Sequence, residues 1–242
     1  MVDSHLLQKA QDGDADAMMQ VAEKYLEGDS MSDITTGIEW YEKTNSTIGY
    51  IQAATALSSI AKTFEDNQKD EYASAFWFRA SQDALKSIPQ PGDDMIYFDL
   101  SMELTEECFY NTALCRYLEG NPRGAMQLLE NVGLNEEFYR ERVLYSECMC
   151  ACATGSMLTS DETSRFFDMA WPVFKFGNKY VLPDVVGAAR HREQVVFAKV
   201  AVRIARIICE INEEQGKELL ETALGALTDS EGKAMVSEAI YG

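Results

Sequence analysis

Two neighbouring stretches decide the fold, GDADAMMQVAEKYLEG at residues 13–28 and IEWYEK at residues 38–43. In the first stretch, small and apolar side chains recur every three or four residues, which is the spacing of one face of a helix. Gly28 then predicts a left-handed turn that ends this helix. The second stretch predicts a partner helix, whose Trp40 and Tyr41 pack closely against the small residues of the first.

The same pattern returns roughly 40 residues further along the chain, a repeat length typical of helical solenoids. A helix pair of this kind cannot bury its apolar face alone, so it needs neighbours of the same kind. The matching positions are Ala17 with Ala56, Val21 with Ile60, Ala22 with Ala61, Tyr25 with Phe64, and Trp40-Tyr41 with Trp77-Phe78.

These residues resemble a Sel1-like repeat, a relative of the tetratricopeptide repeat (TPR). The resemblance covers about residues 10–81, and residues 113–129 resemble a TPR unit more loosely. It implies an all-α fold, an antiparallel helix-pair solenoid (an α/α superhelix) of about a dozen helices. Thr44 and Asn67 stand where the family pattern has alanine and glycine. The positions that carry the resemblance are Gly13, Ala17, Tyr25, Gly28 and Trp40-Tyr41 in the first copy and Trp77-Phe78-Arg79-Ala80 in the second.

Composition agrees with helices and limits the kinds of partner. Hydrophobic residues make up 46% of the 242 residues, which is enough for a continuous core. Alanine, leucine and glutamate recur, while alternating valine-rich runs are scarce. The net charge of −19 opposes binding to nucleic acids and to anionic membrane surfaces, and it suits a basic partner. This acidity is concentrated in residues 1–110.

The chain is expected to be cytoplasmic. Its first residues lack the basic and apolar regions of a signal peptide. The most apolar window, residues 194–211, is interrupted by Lys199, Arg203 and Arg206, so no membrane span is expected. Six cysteines without an export signal predict reduced thiols. The oligomeric state does not follow from the sequence.

No metal or cofactor is expected. The run CMCAC at residues 148–152 invites a metal site, but a helix points Cys150 about 160° away from Cys148 and Cys152. We expect these cysteines to be small buried residues of a helical interface. His191 lies among arginines and has no second set of metal ligands. The phosphate-binding loop, dinucleotide-binding, GxSxG and HExxH motifs are absent from the sequence.

We expect one helical-repeat domain over residues 1–242. The clearest break is IPQPGDD at residues 88–94, where two prolines and a glycine exclude a helix. This break is either a linker or a long loop, and the loop is favoured because helical sequence resumes at once. It marks a possible sub-boundary between Sel1-like repeats at 1–87 and looser TPR-like helices at 95–242.

Several local signals predict where helices begin and end. Asn121 followed by Pro122 predicts a helix start. Residues 159–162 and 228–231 each have the sequence of a capping box, in which a Thr at the helix start is paired with a Glu three residues later. Pro172 should kink or end the helix in which it lies.

The longest helical pattern, residues 185–212, is apolar around most of its circumference and carries a narrow basic stripe. This basic stripe comprises Arg192, Lys199, Arg203 and Arg206, whose spacing places them within about 60° of one another. In one reading, the cations pair with acids on neighbouring helices or extend along the buried helix into solvent. In the other, they line a groove that receives an acidic peptide or a carboxylate terminus.

The resemblance implies a non-catalytic scaffold that binds a protein or peptide partner, such as an adaptor, a chaperone or a regulatory subunit. Two alternatives stay open. The first is a peptide or small-ligand sensor with a pocket at the basic stripe of the 185–212 helix. The second is a helical enzyme without a recognisable motif, for which several titratable groups would have to converge in a deep cavity.

Overall fold

The structure, a computed structural model, describes the chain in six segments: residues 2–67, 69–90, 95–134, 139–153, 158–175 and 188–241. Within them the chain forms twelve α-helices and a 3-10 helix at Met95–Tyr97. The α-helices are α1 (Ser4–Gln11), α2 (Ala15–Leu26), α3 (Met31–Lys43), α4 (Thr47–Asp66), α5 (Asp70–Ser87), α6 (Phe98–Leu118), α7 (Pro122–Val132), α8 (Tyr139–Cys152), α9 (Ser160–Lys175), α10 (Ala188–Cys209), α11 (Glu213–Ala226) and α12 (Ser230–Tyr241).

Most of the helices pack against their neighbours in sequence. Contacts join α1 to α2, α2 to α3, α7 to α8, α8 to α9, α10 to α11 and α11 to α12. The helix α10 also contacts α8, α9 and α12, so its contacts extend beyond the helices next to it in sequence. The all-α class and the expected number of helices are confirmed for the described part of the chain. In that part, no helix combines the length and the apolar character that crossing a bilayer requires.

The chain divides into two compact units. The first comprises residues 1–64 and 71–112, and the second comprises residues 65–70 and 113–242. The step from Thr112 to Ala113 lies inside α6. The expectation of one domain, with a possible sub-boundary at 88–94, stays a prediction, and residues 91–94 lie outside the described part.

Helices α2 and α3 pack as the opening stretch predicts. Ala17 and Ala22 are buried on α2, and Trp40 is buried on α3. A Cβ atom at Gly37 would lie 2.9 Å from the carbonyl oxygen of Ala22, so the glycine is required for this close approach. The predicted left-handed turn at Gly28 is wrong, since Gly28 is not among the residues with positive φ.

Gly28 is required by crowding instead of by its backbone conformation. A Cβ atom there would lie 2.9 Å from the Cβ and Oδ2 atoms of Asp33. Asp33 is held in this place by Ser30, whose hydroxyl donates to Asp33 Oδ2 at 2.6 Å and accepts from the Asp33 amide at 3.0 Å. The glycine thus fits beneath the capped first turn of α3.

The second copy of the repeat keeps one aromatic position and changes the other. Trp77 is fully buried, as Trp40 is nearly so in the first copy. Phe78 is 44% exposed, however, whereas its counterpart Tyr41 is buried. On α5 the packing role is taken by Phe76, whose ring stacks on Phe64 of α4 at 5.4 Å. Both copies therefore bury the first residue of the aromatic pair, and only the first copy also buries the second.

The first two helix-start signals are confirmed. The side chain of Asn121 accepts a hydrogen bond from the amide of Gly124 at 2.9 Å, and Pro122 is the first residue of α7. At α9, the Thr159 amide donates to Glu162 Oε2 at 2.8 Å and the Glu162 amide donates back to Thr159 Oγ1 at 3.3 Å. Both amides of this capping box are thereby satisfied.

The capping box at 228–231 and the signal at Pro172 have different outcomes. The predicted capping box at 228–231 is wrong, because Asp229 caps α12 by accepting from the Gly232 amide at 2.7 Å. The hydroxyl of Thr228 instead accepts from Gln194 Nε2 at 2.9 Å. Of the two expectations for Pro172, the end of the helix is wrong, because α9 continues to Lys175, and the kink stays a prediction.

Candidate functional site

The basic stripe lies on α10, but its members reach different surroundings. Lys199 and Arg203 approach one buried carboxylate, that of Glu147 on α8. Arg206 is exposed and lines a cleft between α10, α11 and α12. Arg192, close to the start of α10, is half-buried. Although the four residues share a helical face, two of them, Lys199 and Arg203, meet on one partner within the part of the chain that the structure describes.

The Glu147 cluster consists of Tyr117, Glu147, Lys199 and Arg203, all in the second unit. The Glu147 side chain is only 4% exposed, and Arg203 Nη1 lies 2.9 Å from its Oε2 atom. Lys199 Nζ lies 4.0 Å from Glu147 Oε1. A buried carboxylate is stable when it is paired and hydrogen-bonded. The two cations of α10 supply the pairing, but among the described residues neither Glu147 Oε2 nor Arg203 Nη1 makes a hydrogen bond.

Tyr117 completes this cluster from α6. Its hydroxyl donates to Glu147 Oε1 at 2.7 Å and accepts from Lys199 Nζ at 3.2 Å. Burial raises the pKa of Tyr117, and the hydrogen bond to the negative Glu147 raises it further. A proton held this firmly is unsuited to acid–base catalysis near neutral pH. Lys199 and Arg203 therefore pair with an acid of a neighbouring helix, the first of the two readings of the stripe.

The cleft that Arg206 lines has a volume of about 910 Å³. This is within the range of roughly 300–1,000 Å³ that is usual for ligand pockets. It is lined by residues of α10 and α12 and by the buried Leu220 of α11. The uncharged lining residues are Val202, Ala205, Cys209, Leu220, Met235 and Ala239.

Three charged side chains complete the lining of the cleft, Arg206, Glu210 and Glu238. All three are exposed. Within the described residues, none of them has a hydrogen bond or an ion pair. An apolar cleft bordered by charges that lack an internal partner is suited to binding another molecule, because both kinds of surface are available to it.

His191 belongs to a separate polar junction between α10 and α12. Its Nδ1 atom makes a short contact with Asp229 Oδ2, and its Nε2 atom lies 3.4 Å from Glu231 Oε2. Gln194 Oε1 accepts from the Thr228 and Asp229 amides at 2.9 and 2.8 Å. Both ring nitrogens of His191 face carboxylates, so this geometry ties α12 to α10 and presents no nucleophile to the histidine.

The three neighbouring cysteines are separated by burial as well as by direction. Cys148 is fully buried, whereas Cys150 and Cys152 are half-buried. Burial raises the pKa of Cys148, and the nearby Glu147 raises it further. Across the part of the chain that the structure describes, no group of three His, Cys, Asp or Glu side chains has the geometry of a metal site.

The sequence analysis did not identify two acidic residues of this region, Glu147 and Glu238. Glu147 is the only charged residue in the otherwise uncharged run from Val143 to Cys152, and this isolation could have marked it as a buried partner for a cation. Glu238 had no comparable signal, because acidic residues are frequent throughout the chain. Its place in the cleft depends on how α12 packs against α10.

Comparisons of the chain with models of protein families, with curated proteins and with solved structures gave no match. The family of the chain is therefore not identified. What it does has to be argued from its own residues, above all from the cleft and the Glu147 cluster.

Proposed function

We propose that the chain is a non-catalytic scaffold that binds a segment of another protein in the cleft between α10, α11 and α12. The observation that carries this proposal is the combination of an apolar lining with the charges of Arg206, Glu210 and Glu238, which have no ion pair among the described residues. Apolar surface supplies most of the free energy of association, and the charges at its border select and orient the partner.

The distribution of the basic stripe supports this location over the rest of α10. Lys199 and Arg203 already neutralise Glu147, so a ligand that bound them would have to compete with a buried ion pair. Arg206 has no such competitor among the described residues and borders the cleft. Of the residues expected to bind a partner, Arg206 is therefore the one that we assign to the site.

The resemblance of residues 10–81 to Sel1-like and TPR repeats supports the same class of function. We propose that the sequential helix pairs are repeats of this kind, arranged as an antiparallel solenoid. Proteins built from such repeats use extended surfaces to hold partners. A cytoplasmic location, and a role as an adaptor, a chaperone or a regulatory subunit, belong to the same proposal.

Filling the cleft tests the proposal. Ala239 lines it and is half-buried, so Ala239→Trp should obstruct the site. Ala234 lies on the same helix, is exposed and does not line the cleft, so Ala234→Trp is the matched control. Both variants and the wild type are used to capture proteins from an extract of the native host, with mass spectrometry to identify them and circular dichroism to verify folding.

A partner that is retained by the wild type and by Ala234→Trp, but lost by a folded Ala239→Trp, is the expected result. The same set of captured proteins with both variants would show that the cleft is not the binding site. A small-ligand sensor is the second candidate, favoured by the volume of about 910 Å³. In that case a ligand panel would raise the thermal midpoint of the wild type and leave that of Ala239→Trp unchanged.

A further inference from the structure

We infer that the segment bound in the cleft is a basic amphipathic helix of a partner protein. This inference rests on the proposed function and names the chemistry of the partner. Two features carry it, the acidic border of the cleft and the helical spacing of its walls. The acidic peptide that the basic stripe alone suggests is not the partner that this border favours.

The border of the cleft has one cation and two anions, Arg206 against Glu210 and Glu238. Its surroundings have the same sign, because residues 210–242 contain eight acidic side chains and two lysines. The whole chain has a net charge of −19. The local and the long-range fields therefore both attract a cationic segment and repel an anionic one.

The two cations that could have reversed this balance are occupied. Lys199 and Arg203 are directed at Glu147, at 4.0 and 2.9 Å respectively. A second copy of this chain is disfavoured as the partner, since two molecules with a charge of −19 repel one another. Nucleic acids are disfavoured for the same reason.

The walls of the cleft have the geometry of a helix-binding groove. On α10 the lining residues Val202, Ala205 and Cys209 follow helical spacing along one face, where Val202 and Cys209 are half-buried and Ala205 between them is buried. On α12 Met235 and Ala239 do the same, four residues apart. Two helical ridges with apolar side chains between them accept the apolar face of a third helix.

The side chains in the walls are suited to accommodating a partner. Met235 is unbranched and flexible, and can adjust to the apolar side chains of an incoming helix. Ala239 is small and half-buried, which leaves depth for larger partner residues, whereas Ala205 is buried and forms part of the floor of the cleft. The cations of the partner would then lie at the border, where Glu210 and Glu238 are exposed.

The test uses three synthetic helical peptides that share one leucine pattern and have lysine, glutamate or glutamine at every polar position. Binding of the fluorescently labelled peptides to the full chain is measured by anisotropy. The lysine peptide should bind roughly tenfold or more tightly than the glutamine peptide, and the glutamate peptide most weakly. The preference should weaken as salt is added.

Charge reversal at the border locates the effect. Glu238→Lys should weaken binding of the lysine peptide by roughly tenfold and leave the glutamine peptide nearly unchanged. The matched control is Glu221→Lys on α11, which changes the net charge equally at an exposed position outside the cleft. Arg206→Glu should have the opposite effect to Glu238→Lys and tighten binding of the lysine peptide.

Different outcomes would contradict the inferred charge of the partner and the proposed function. If the glutamate peptide binds best, and Ala239→Trp abolishes that binding, the cleft binds peptides but the inferred charge of the partner is wrong. If Glu221→Lys weakens the lysine peptide as much as Glu238→Lys does, the attraction comes from net charge alone and the inference is also wrong. If no peptide responds to Ala239→Trp, the proposed function itself is contradicted.

Discussion

Arg203 Nη1 lies 2.9 Å from Oε2 of Glu147, a carboxylate whose side chain is only 4% exposed. Arg206, one helical turn further along α10, has no hydrogen bond or ion pair among the described residues and is exposed. Two arginines of one stripe therefore have different physical roles. Arg203 compensates a buried charge within the protein, whereas Arg206 borders the cleft that we propose as the binding site.

This difference predicts unequal effects of one substitution. Arg203→Glu should lower the free energy of unfolding by about 3 kcal/mol, because it removes the partner of a buried carboxylate and places a like charge beside it. Arg206→Glu should change it by less than about 0.5 kcal/mol, as for an ordinary surface site. Urea denaturation of both variants at neutral pH provides the comparison. Equal destabilisation by both would mean that the 2.9 Å pair does not stabilise Glu147.

Trp77 and Phe78 offer a second adjacent pair with different burial. Trp77 is fully buried and Phe78 is 44% exposed. Trp77→Ala should therefore cost ~3–5 kcal/mol of unfolding free energy, because it removes a large ring from the core and leaves a cavity. Phe78→Ala should cost less than about 1 kcal/mol. Thermal or urea unfolding measures both free energies. A larger loss of unfolding free energy for Phe78→Ala than for Trp77→Ala would show that the face of α5 with Phe78, and not the face with Trp77, packs in the core.

The helices could be predicted from sequence because their signals are local. Apolar spacing and the cap at Asn121-Pro122 are contained within a few consecutive residues, and the helix starts at Pro122 as expected. The error at residues 228–231 arose because a side chain that is distant in sequence replaced a local partner. The Thr228 hydroxyl accepts from Gln194, which lies on α10, so it does not cap α12.

The candidate site could be predicted only in part, for a related reason. The spacing of the basic stripe on one helix could be read from the sequence, but its partners lie on other helices. Glu147 is on α8, and Glu238 is on α12. Whether a cation of α10 is neutralised or left open depends on which acid the tertiary packing brings beside it, and single-helix periodicity contains no information about that.

The carboxyl group of Asp83 predicts a pH effect in the first unit. It is almost fully buried on α5, and burial raises its pKa despite the hydrogen bond from Lys86 Nζ at 3.0 Å. The folded state thus binds this proton more tightly than the unfolded state. The contribution of Asp83 to stability is full below its ordinary pKa and is lost as pH rises through the raised value.

Asp83→Asn should therefore become more stable relative to the wild type as pH rises from the ordinary carboxyl range towards neutrality. The amide has the same shape and does not ionise, so the cost of the buried charge disappears. The measurement is the difference in unfolding free energy between the two proteins at several pH values. A difference that moves the other way would mean that the attraction of Lys86 outweighs burial.

Asp229 predicts the opposite pH trend in the second unit. Burial raises its pKa, but the hydrogen bonds from the Gly232 amide and from His191 outweigh burial, so the net shift is downward. Its contribution to stability is therefore present above the ordinary carboxyl pKa and is lost as pH falls through the lowered value. Asp229→Ala should cost about 1–2 kcal/mol of unfolding free energy at neutral pH, as expected for the loss of a helix cap.

That cost should shrink as the wild type is acidified, because protonation of Asp229 weakens the same cap. Glu231→Ala is the comparison, since Glu231 would be the capping partner if the sequence-based capping box were correct. Its side chain is 60% exposed, and we expect a loss of less than about 0.5 kcal/mol. Urea denaturation across the acid range distinguishes the two carboxylates. A loss in Glu231→Ala as large as that in Asp229→Ala would restore the capping box and remove Asp229 as the residue that begins α12.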